Sequence, residues 1–331
     1  MAVSIEDIKK LRAMTGAGLA DVKKALTEAE GDFDKAKELL RERGLAIAAK
    51  RSDRETSNGC VLVKKVNDFA AIIALKCETD FVANGADFIK LTSDILDAAI
   101  AAKAHTLDEV KVLKVGESDA QAAVTQRSGI TGEKMELDGY CVLEGDNIEV
   151  YDHMNKHTLC TMVQLNENNA EAGHKVAMQV AAMRPVALDE SSVSNETKKT
   201  ELEVAVAKTK EELVEKAVNA ALKKAGINPA HVDSEDHIES NTKKGWLTPE
   251  QAEEARNIKK TVGEEKAASL NPTMIQNIAN GRLAKFFKEN CLVDQEFQFG
   301  DGDKQTVAQY LASQSKDLKI VAYQRFTLAA E

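Results

Sequence analysis

The chain has 331 residues, of which 43% are hydrophobic and 30% are charged, which is typical of globular proteins and long enough for two or three domains. The formal net charge of −10 argues against a nucleic-acid binder, which needs a basic surface to displace counterions. No apolar run is long enough to span a bilayer, and the first residues lead directly into a helical pattern. We therefore expect a cytoplasmic protein with no signal peptide and no direct contact with membranes or nucleic acid.

Residues 1–53 carry three short helical patterns that are separated by glycines. Apolar residues recur at helical spacing before Gly16, again between Gly18 and Gly31, and a third time up to Gly44. We expect Gly44 to end the third helix, because glycine is the usual residue just after a helix. Three such helices can enclose one small apolar core, so the pattern predicts a compact helical bundle.

Residues 54–139 mix strand patterns with helical patterns. Two short apolar runs, which end at Val63 and Leu75, predict strands joined by a turn. Helices are predicted from about 86 to 103 and from about 120 to 127. This part of the chain is therefore predicted to be a first α+β unit.

The segment Thr79-Asp80-Phe81-Val82 connects the second of these strands to the next helix, a position where chains often carry function. An aromatic ring beside a carboxylate suits insertion into a partner, because the ring fills a pocket and the charge fixes the orientation. The alternative is that Phe81 folds back over the edge of the sheet. The residues by themselves favour this alternative, because most surface loops only connect elements.

Residues 140–192 and 281–331 are predicted to form a second α+β unit. Its predicted elements are strands at 140–143, 148–151, 159–165 and 319–326, and a helix at 170–183. The Gly-Asp-Asn sequence at 145–147 predicts a hairpin turn between the first two of these strands. Both units contain the order strand, polar loop, helix, which an internal repeat and coincidence explain equally well.

Residues 193–280 are predicted to form an inserted helical hairpin, or coiled-coil arm. A coiled-coil-like apolar pattern runs from 194 to 225, and Pro249 and Pro272 stand at the first position of two further helices. Such an arm cannot bury both of its faces alone. It docks on its own core, docks on a partner, or joins two copies of the chain, and the residues leave these alternatives open.

The sequence carries no recognisable signature of catalysis or metal binding. It contains neither a phosphate loop nor a dinucleotide fingerprint, and no Ser/His/Asp or Cys/His set can be assigned. His153 and His157 have a spacing that zinc sites use, but they lack a second pair of ligands and are better interpreted as a surface hairpin. The five cysteines form no C-x-x-C pair and are interpreted as reduced core thiols. We therefore predict a binding or regulatory protein, not an enzyme, with no catalytic residue, metal or cofactor.

Four motifs occur in a fixed order along the chain. They are Leu11-Arg12-x-x-Thr15-Gly16-Ala17-Gly18-x-x-Asp21-Val22-Lys23-Lys24-Ala25-Leu26 followed by Gly31-Asp32, then Glu78-Thr79-Asp80-Phe81-Val82-Ala83, then Val176-Ala177-Met178-Gln179-Val180-Ala181-Ala182, and finally Gly281-Arg282-Leu283-x-Lys285-Phe286. In this order they closely resemble the signatures of the elongation factor Ts family, and together they cover most of the chain outside the hairpin. The first two motifs are the most specific.

The resemblance implies a translation elongation factor that acts as a guanine nucleotide exchange factor for the GTPase elongation factor Tu. Such a factor binds the GDP form of the GTPase, stimulates GDP release and stabilises the nucleotide-free state until GTP binds. The implied fold is α+β: a ubiquitin-associated-like three-helix bundle, a core of two α+β subdomains, and a protruding antiparallel helical hairpin. A homodimer or a 2:2 complex through the hairpin is left open. The alternative function is a non-enzymatic scaffold that uses the bundle and the hairpin to bind something other than a GTPase.

The resemblance also implies roles for particular residues. The segment that dislocates Mg²⁺ from the partner GTPase consists of Thr79, Asp80, Phe81 and Val82. The implied partner-binding residues are Arg12, Leu19, Lys23 and Gln179. Two departures from the family pattern stand out: the family often has His at the position of Gln179, and the hairpin between Ala225 and Asn271 is longer than the common form.

Overall fold

The computed structural model describes residues 3–300, 302 and 304–329, and the chain divides into two compact units. The first unit comprises residues 1–188 and 295–331, and the second comprises 189–294. In chain order, the elements up to residue 188 are α1 (Ile5–Thr15), α2 (Leu19–Glu28), α3 (Phe33–Lys50), β1 (Asn58–Val66), β2 (Phe69–Cys77), α4 (Asp80–Ala83), α5 (Ala86–Ala102), α6 (Leu107–Lys111), β3 (Lys114–Val115), β4 (Ser118–Asp119), α7 (Ala120–Thr131), β5 (Met135–Glu144), β6 (Ile148–Asp152), β7 (Leu159–Leu165) and α8 (Ala170–Met183). They are followed by α9 (Asn195–Lys224), α10 (Glu235–Lys243), α11 (Pro249–Ala268) and α12 (Pro272–Asn290), and then by α13 (Val307–Gln314) and β8 (Ile320–Thr327).

Helices α1, α2 and α3 pack around a small apolar core in which Leu11, Val22 and Leu26 are fully buried. Ser4 caps the start of α1 by accepting a hydrogen bond from the backbone of Asp7. Gly16 ends α1 in the left-handed conformation, with φ of 69°, which glycine adopts without a steric penalty. The glycine punctuation of the sequence therefore predicts the first break between helices correctly.

The sequence pattern predicts that Gly44 ends the third helix. This prediction is wrong, because α3 continues to Lys50. Gly44 instead faces Gly129 of α7, and a Cβ atom at Gly129 would collide with the backbone of Gly44. The missing side chains let the two helices approach closely, which is a packing role of glycine rather than a terminating one. The bundle is thereby joined to the first sheet's helical layer through α3 and α7.

The first sheet has the antiparallel order β1-β2-β5. Its central strand, β2, is buried along almost its whole length, because both of its faces are covered. Ile73 and Leu75 point toward the helices, whereas Ile72 and Ala74 pack against the second sheet. This double burial explains why the strand is a continuous apolar run instead of an alternating one.

The predicted hairpin at 145–147 is wrong. The strand before it, β5, pairs with β2 in the first sheet, whereas the strand after it, β6, pairs with β7 in the second. The Gly-Asp-Asn sequence reverses the chain, but such a turn does not fix the partner of the strand that follows. The predicted boundary between 139 and 140 consequently falls inside β5.

The second sheet has the antiparallel order β6-β7-β8 and packs face to face on the first. The shared apolar layer includes Ile72, Ile148 and Met162, all fully buried. Helix α8 covers the other face of the second sheet, where the Thr161 hydroxyl donates to the Ala177 carbonyl at 2.9 Å. Helices and two stacked sheets thus build the first unit, and the predicted α+β class is confirmed.

The second unit contains α9 to α12. Its apolar core lies between α9 and α11 and includes Leu222 and Ala255, both almost fully buried. The helices α11 and α12 begin at Pro249 and Pro272, as predicted. Because α12 continues to Asn290, the predicted boundary between 280 and 281 falls inside a helix. Within the described ranges, none of the helices combines the length and the apolar character that crossing a bilayer requires.

Candidate functional site

Phe81 lies on α4, a single helical turn that connects β2 to α5. Its side chain is 86% exposed, and the neighbouring Asp80 is exposed as well. The expectation that the ring folds back over the sheet edge is therefore wrong. An aromatic ring and a carboxylate stand side by side on the surface, where both can enter a partner.

The turn at residues 79–82 is anchored from beneath. Val82 packs against the apolar core of the first sheet, and Ala83 is buried there. The backbone amide and the side-chain amide of Asn84 both donate to the Asp80 carbonyl at 2.9 Å, which closes the turn. Half of this short helix is thus fixed in the core while Phe81 projects outward.

Thr79 holds the other end of the turn. Its hydroxyl oxygen accepts a hydrogen bond from the Val82 amide at 3.4 Å, in the manner of a helix N-cap. The Thr79 amide donates to one carboxylate oxygen of Glu133 at 3.1 Å, and the Thr79 hydroxyl donates to the other at 2.6 Å. The carboxylate of Glu133 therefore accepts from both hydrogen-bond donors of Thr79. Charged acceptors form stronger hydrogen bonds than neutral ones.

Glu78, directly before the turn, is held in a matching way. Its carboxylate accepts from the Lys134 amide at 2.7 Å and from the Arg51 guanidinium at 2.9 and 3.0 Å. The Lys134 N–H, followed by Arg51, lowers the pKa of the Glu78 carboxyl below its ordinary value, against the opposing effect of burial. Glu78 is consequently ionised at neutral pH, and its carboxylate joins the strand end before the turn to Lys134 and Arg51.

The residues predicted to bind a partner through the bundle lie on its exposed faces. Arg12 and Lys23 are exposed on α1 and α2, and Leu19 at the start of α2 is 57% exposed. The structure therefore leaves all three accessible. Their role as contacts stays a prediction.

Gln179 has a different environment, because it is fully buried on α8. Its side-chain amide donates to the Glu296 carbonyl at 3.1 Å and to the side-chain oxygen of Gln295 at 3.3 Å. Its side-chain oxygen accepts from the Gln298 amide at 3.0 Å. The residue ties the 295–298 segment to α8, and it is not part of the exposed surface.

Sequence reasoning missed Glu133, Lys134 and Arg51, which hold the turn. Glu133 is 54 residues from Thr79 in the sequence, and the contact arises only when β5 pairs with β2. The only local signal is the glycine at 132, which ends α7 just before Glu133. Nothing in that signal indicates which carboxylate faces which strand.

The two histidines with zinc-like spacing have protein partners. The His157 ring nitrogen lies 2.5 Å from the Asp152 carboxylate, and the His153 ring nitrogen lies 3.1 Å from the Tyr151 hydroxyl. They lie around the connection between the paired strands β6 and β7. Among the described residues, no group of three or more His, Cys, Asp or Glu side chains is arranged to hold a metal ion.

A family model described as Elongation factor TS matches residues 78–330. Over the full length of both chains, an elongation factor Ts of Bacteroides fragilis is 61% identical and one of Parabacteroides distasonis is 59% identical. The chain belongs to the elongation factor Ts family. It is therefore a translation elongation factor of protein biosynthesis. A more distant elongation factor Ts, from Porphyromonas gingivalis, is 38% identical over the same full length.

The span that matches the family model begins at Glu78, which anchors the exposed turn, and it includes Glu133 and Gln179. The bundle residues Arg12, Leu19 and Lys23 precede the matched span. They fall instead within the full-length similarity to the Bacteroides and Parabacteroides factors. The identification from four short sequence motifs is thus confirmed by comparisons that extend over the whole chain.

Proposed function

We propose that this chain is a cytoplasmic guanine nucleotide exchange factor for elongation factor Tu. It binds the GDP form of the GTPase, dislocates Mg²⁺ with residues 79–82, and stabilises the nucleotide-free state until GTP binds. The single observation that supports this proposal most strongly is Phe81, which is 86% exposed on a turn whose base is buried. Because the turn already holds the ring outward, little further conformational entropy is lost when the ring enters a pocket.

The energetics require more than the exposed turn. Nanomolar nucleotide binding corresponds to about 12 kcal/mol. Burial of one Phe side chain contributes only about 1.5–3 kcal/mol. Phe81 therefore cannot expel the nucleotide alone, and the factor has to bind the nucleotide-free GTPase better than the loaded one over a larger surface.

The larger surface is supplied by the bundle and the core. Arg12, Leu19 and Lys23 hold the GTPase, and this grip is coupled to the metal site through Asp80 and Phe81. Once the cation is displaced, the phosphate charges of GDP are less compensated, which weakens nucleotide binding further. Gln179, being buried, contributes by holding the 295–298 segment in place. No covalent bond is made or broken by the factor.

The direct test uses elongation factor Tu loaded with a fluorescent GDP analogue and chased with excess GDP. We expect the chain to accelerate release in a saturable manner. The acceleration should shrink when Mg²⁺ is removed by a chelator, since the step that the factor catalyses is then already complete. Complex formation without faster release would overturn the proposal and favour the scaffold alternative.

A further inference from the structure

We propose that Glu133 is a positioning residue for nucleotide exchange: its carboxylate sets the orientation in which α4 presents Asp80 and Phe81 to the GTPase. This inference rests on the proposed function. It adds a residue that contacts neither the nucleotide nor the metal, and that acts through Thr79.

Helix α4 cannot hold its own shape. It has four residues, and a single helical turn is far below the length at which helices are stable in water. Its orientation therefore depends on tertiary contacts at its two ends. Val82 and Ala83 supply one of these contacts by burial, and the grip of Glu133 on Thr79 supplies the other.

The backbone of Glu133 is itself held in place. It directly follows Gly132, which ends α7 in the left-handed conformation with φ of 72°. The Glu133 carbonyl accepts from the Ser128 hydroxyl at 2.5 Å, and its amide donates to the Thr131 hydroxyl at 3.3 Å. A backbone fixed at the end of a helix gives the side-chain carboxylate a defined position from which to bind Thr79.

The contact between the segments at 78–79 and 133–134 is reciprocal. Glu133 accepts from the Thr79 amide, and Glu78 accepts from the Lys134 amide, so each segment donates a backbone N–H to the other's carboxylate. Removal of the Glu133 carboxylate leaves the Glu78 contact in place. The turn should then lose its orientation while the strand beside it stays paired.

Within the first unit, the bundle and the exposed turn are connected through α7. Helix α7, which ends at Thr131 just before Gly132 and Glu133, is packed along α3 through the close contact of Gly44 with Gly129. The bundle that carries Arg12 and Leu19 therefore shares one frame with the turn that carries Phe81. Glu133 connects the turn to that frame, so that the GTPase meets both contact areas at a fixed separation.

The test measures GDP release from elongation factor Tu at increasing concentrations of the chain, which separates the maximal rate from the half-saturating concentration. We expect Glu133→Ala to lower the maximal rate about tenfold, equivalent to about 1.4 kcal/mol. The half-saturating concentration should change less than twofold, because the bundle contacts are intact. Glu133→Gln, which keeps one acceptor oxygen but sets an NH₂ group against a donor, should give an intermediate loss.

A matched control is Glu117→Ala. Glu117 is an exposed acidic residue whose side chain makes no hydrogen bond or ion pair within the described part of the chain, so its loss tests the effect of charge alone. We expect this variant to keep the wild-type rate. A similar loss of rate in both alanine variants would overturn the inference, since net charge would then explain it.

Two further readouts separate positioning from a loss of folding. In Glu133→Ala, hydrogen exchange of the Thr79 amide should become faster, while that of Leu75 in β2 stays slow. The losses from Glu133→Ala and Thr79→Val should be less than additive in the double variant, because Thr79→Val removes one of the two hydrogen bonds that Glu133→Ala removes. Fully additive losses, or an unchanged Thr79 amide, would contradict the inference.

The outcomes distinguish this inference from the proposed function. If the wild-type chain accelerates GDP release and Glu133→Ala accelerates it equally, the function stands and the positioning role of Glu133 is wrong. A rise confined to the half-saturating concentration would also overturn it, since Glu133 would then be a binding contact. If the wild-type chain does not accelerate release, the proposed function itself fails.

Discussion

At the scale of single residues, the chain exposes a ring that a folded protein would normally bury. Phe81 is 86% exposed because Val82 and Ala83, its neighbours on the same turn, already fill the space against the core. Elementary physics of the sequence favours the opposite outcome, and only the resemblance to a family predicts the exposed position. The reason is that the burial of one ring depends on which neighbouring side chains occupy the space against the core.

A residue-scale prediction concerns Leu19, which is 57% exposed on the bundle. Leu19→Ala should raise the concentration of factor that half-saturates GDP release by about tenfold, because an apolar anchor of the complex is lost. The maximal rate should stay close to wild type. Titration of the release rate measures both quantities.

The matched control for Leu19 is Ile5→Ala, since Ile5 is 72% exposed on the same bundle and is not among the residues expected to contact the partner. This variant should behave like wild type. If Leu19→Ala leaves the half-saturating concentration unchanged, the bundle surface around Leu19 is not a contact.

At the scale of elements, local patterns predict helices well and strand partners poorly. The helix predicted at 170–183 has the same bounds as α8, because its period and its caps are encoded within the segment. The partner of β5 is set by burial against β2, which lies about 70 residues earlier. Gly44 illustrates the same limit, since its close contact with Gly129 is invisible in the sequence.

An element-scale prediction follows for Gly129→Ala. The added Cβ would collide with the backbone of Gly44, so α3 and α7 must separate. Overpacking of this kind costs roughly 1–3 kcal/mol. We expect a lower thermal midpoint and, because the bundle moves relative to the turn, a lower maximal rate of GDP release.

The control for Gly129 is Gly281→Ala, also a helical glycine but with open space around the new Cβ. This variant should gain about 0.5–1 kcal/mol in stability, since alanine is the better helix former. Equal thermal midpoints for Gly129→Ala and wild type would show that α3 and α7 are not closely packed in solution.

At the scale of the whole molecule, the sequence predicts that cysteine thiols belong to the apolar interior. All five are free, and burial raises the pKa of each thiol, to about 12 for Cys60 and Cys77 and to about 11 for Cys291. The pKa values of Cys141 and Cys160 are raised by the same cause. Because the thiolate is the reactive form, the native protein should react slowly at every thiol.

The corresponding whole-molecule prediction is slow labelling by a thiol-specific reagent at pH 8, with five thiols becoming reactive on unfolding in guanidinium. Reactivity should rise only as the pH approaches the raised pKa values, such as about 11 for Cys291, since the thiolate is the reactive form. Rapid labelling of one or more thiols in the native protein would mean that the core opens readily. The absorbance of the chromophore that the reagent releases on reacting with a thiol provides the measurement.

The central claim is that Phe81 couples the grip on the GTPase to its metal site, and stopped-flow GDP release with Phe81→Ala tests it most directly. The variant should fold normally, because the ring is exposed, and Val112→Ala, which truncates another exposed side chain, serves as the matched control. We predict a maximal release rate at least tenfold below wild type, with affinity for the nucleotide-free GTPase reduced much less. A maximal rate equal to wild type would contradict the claim.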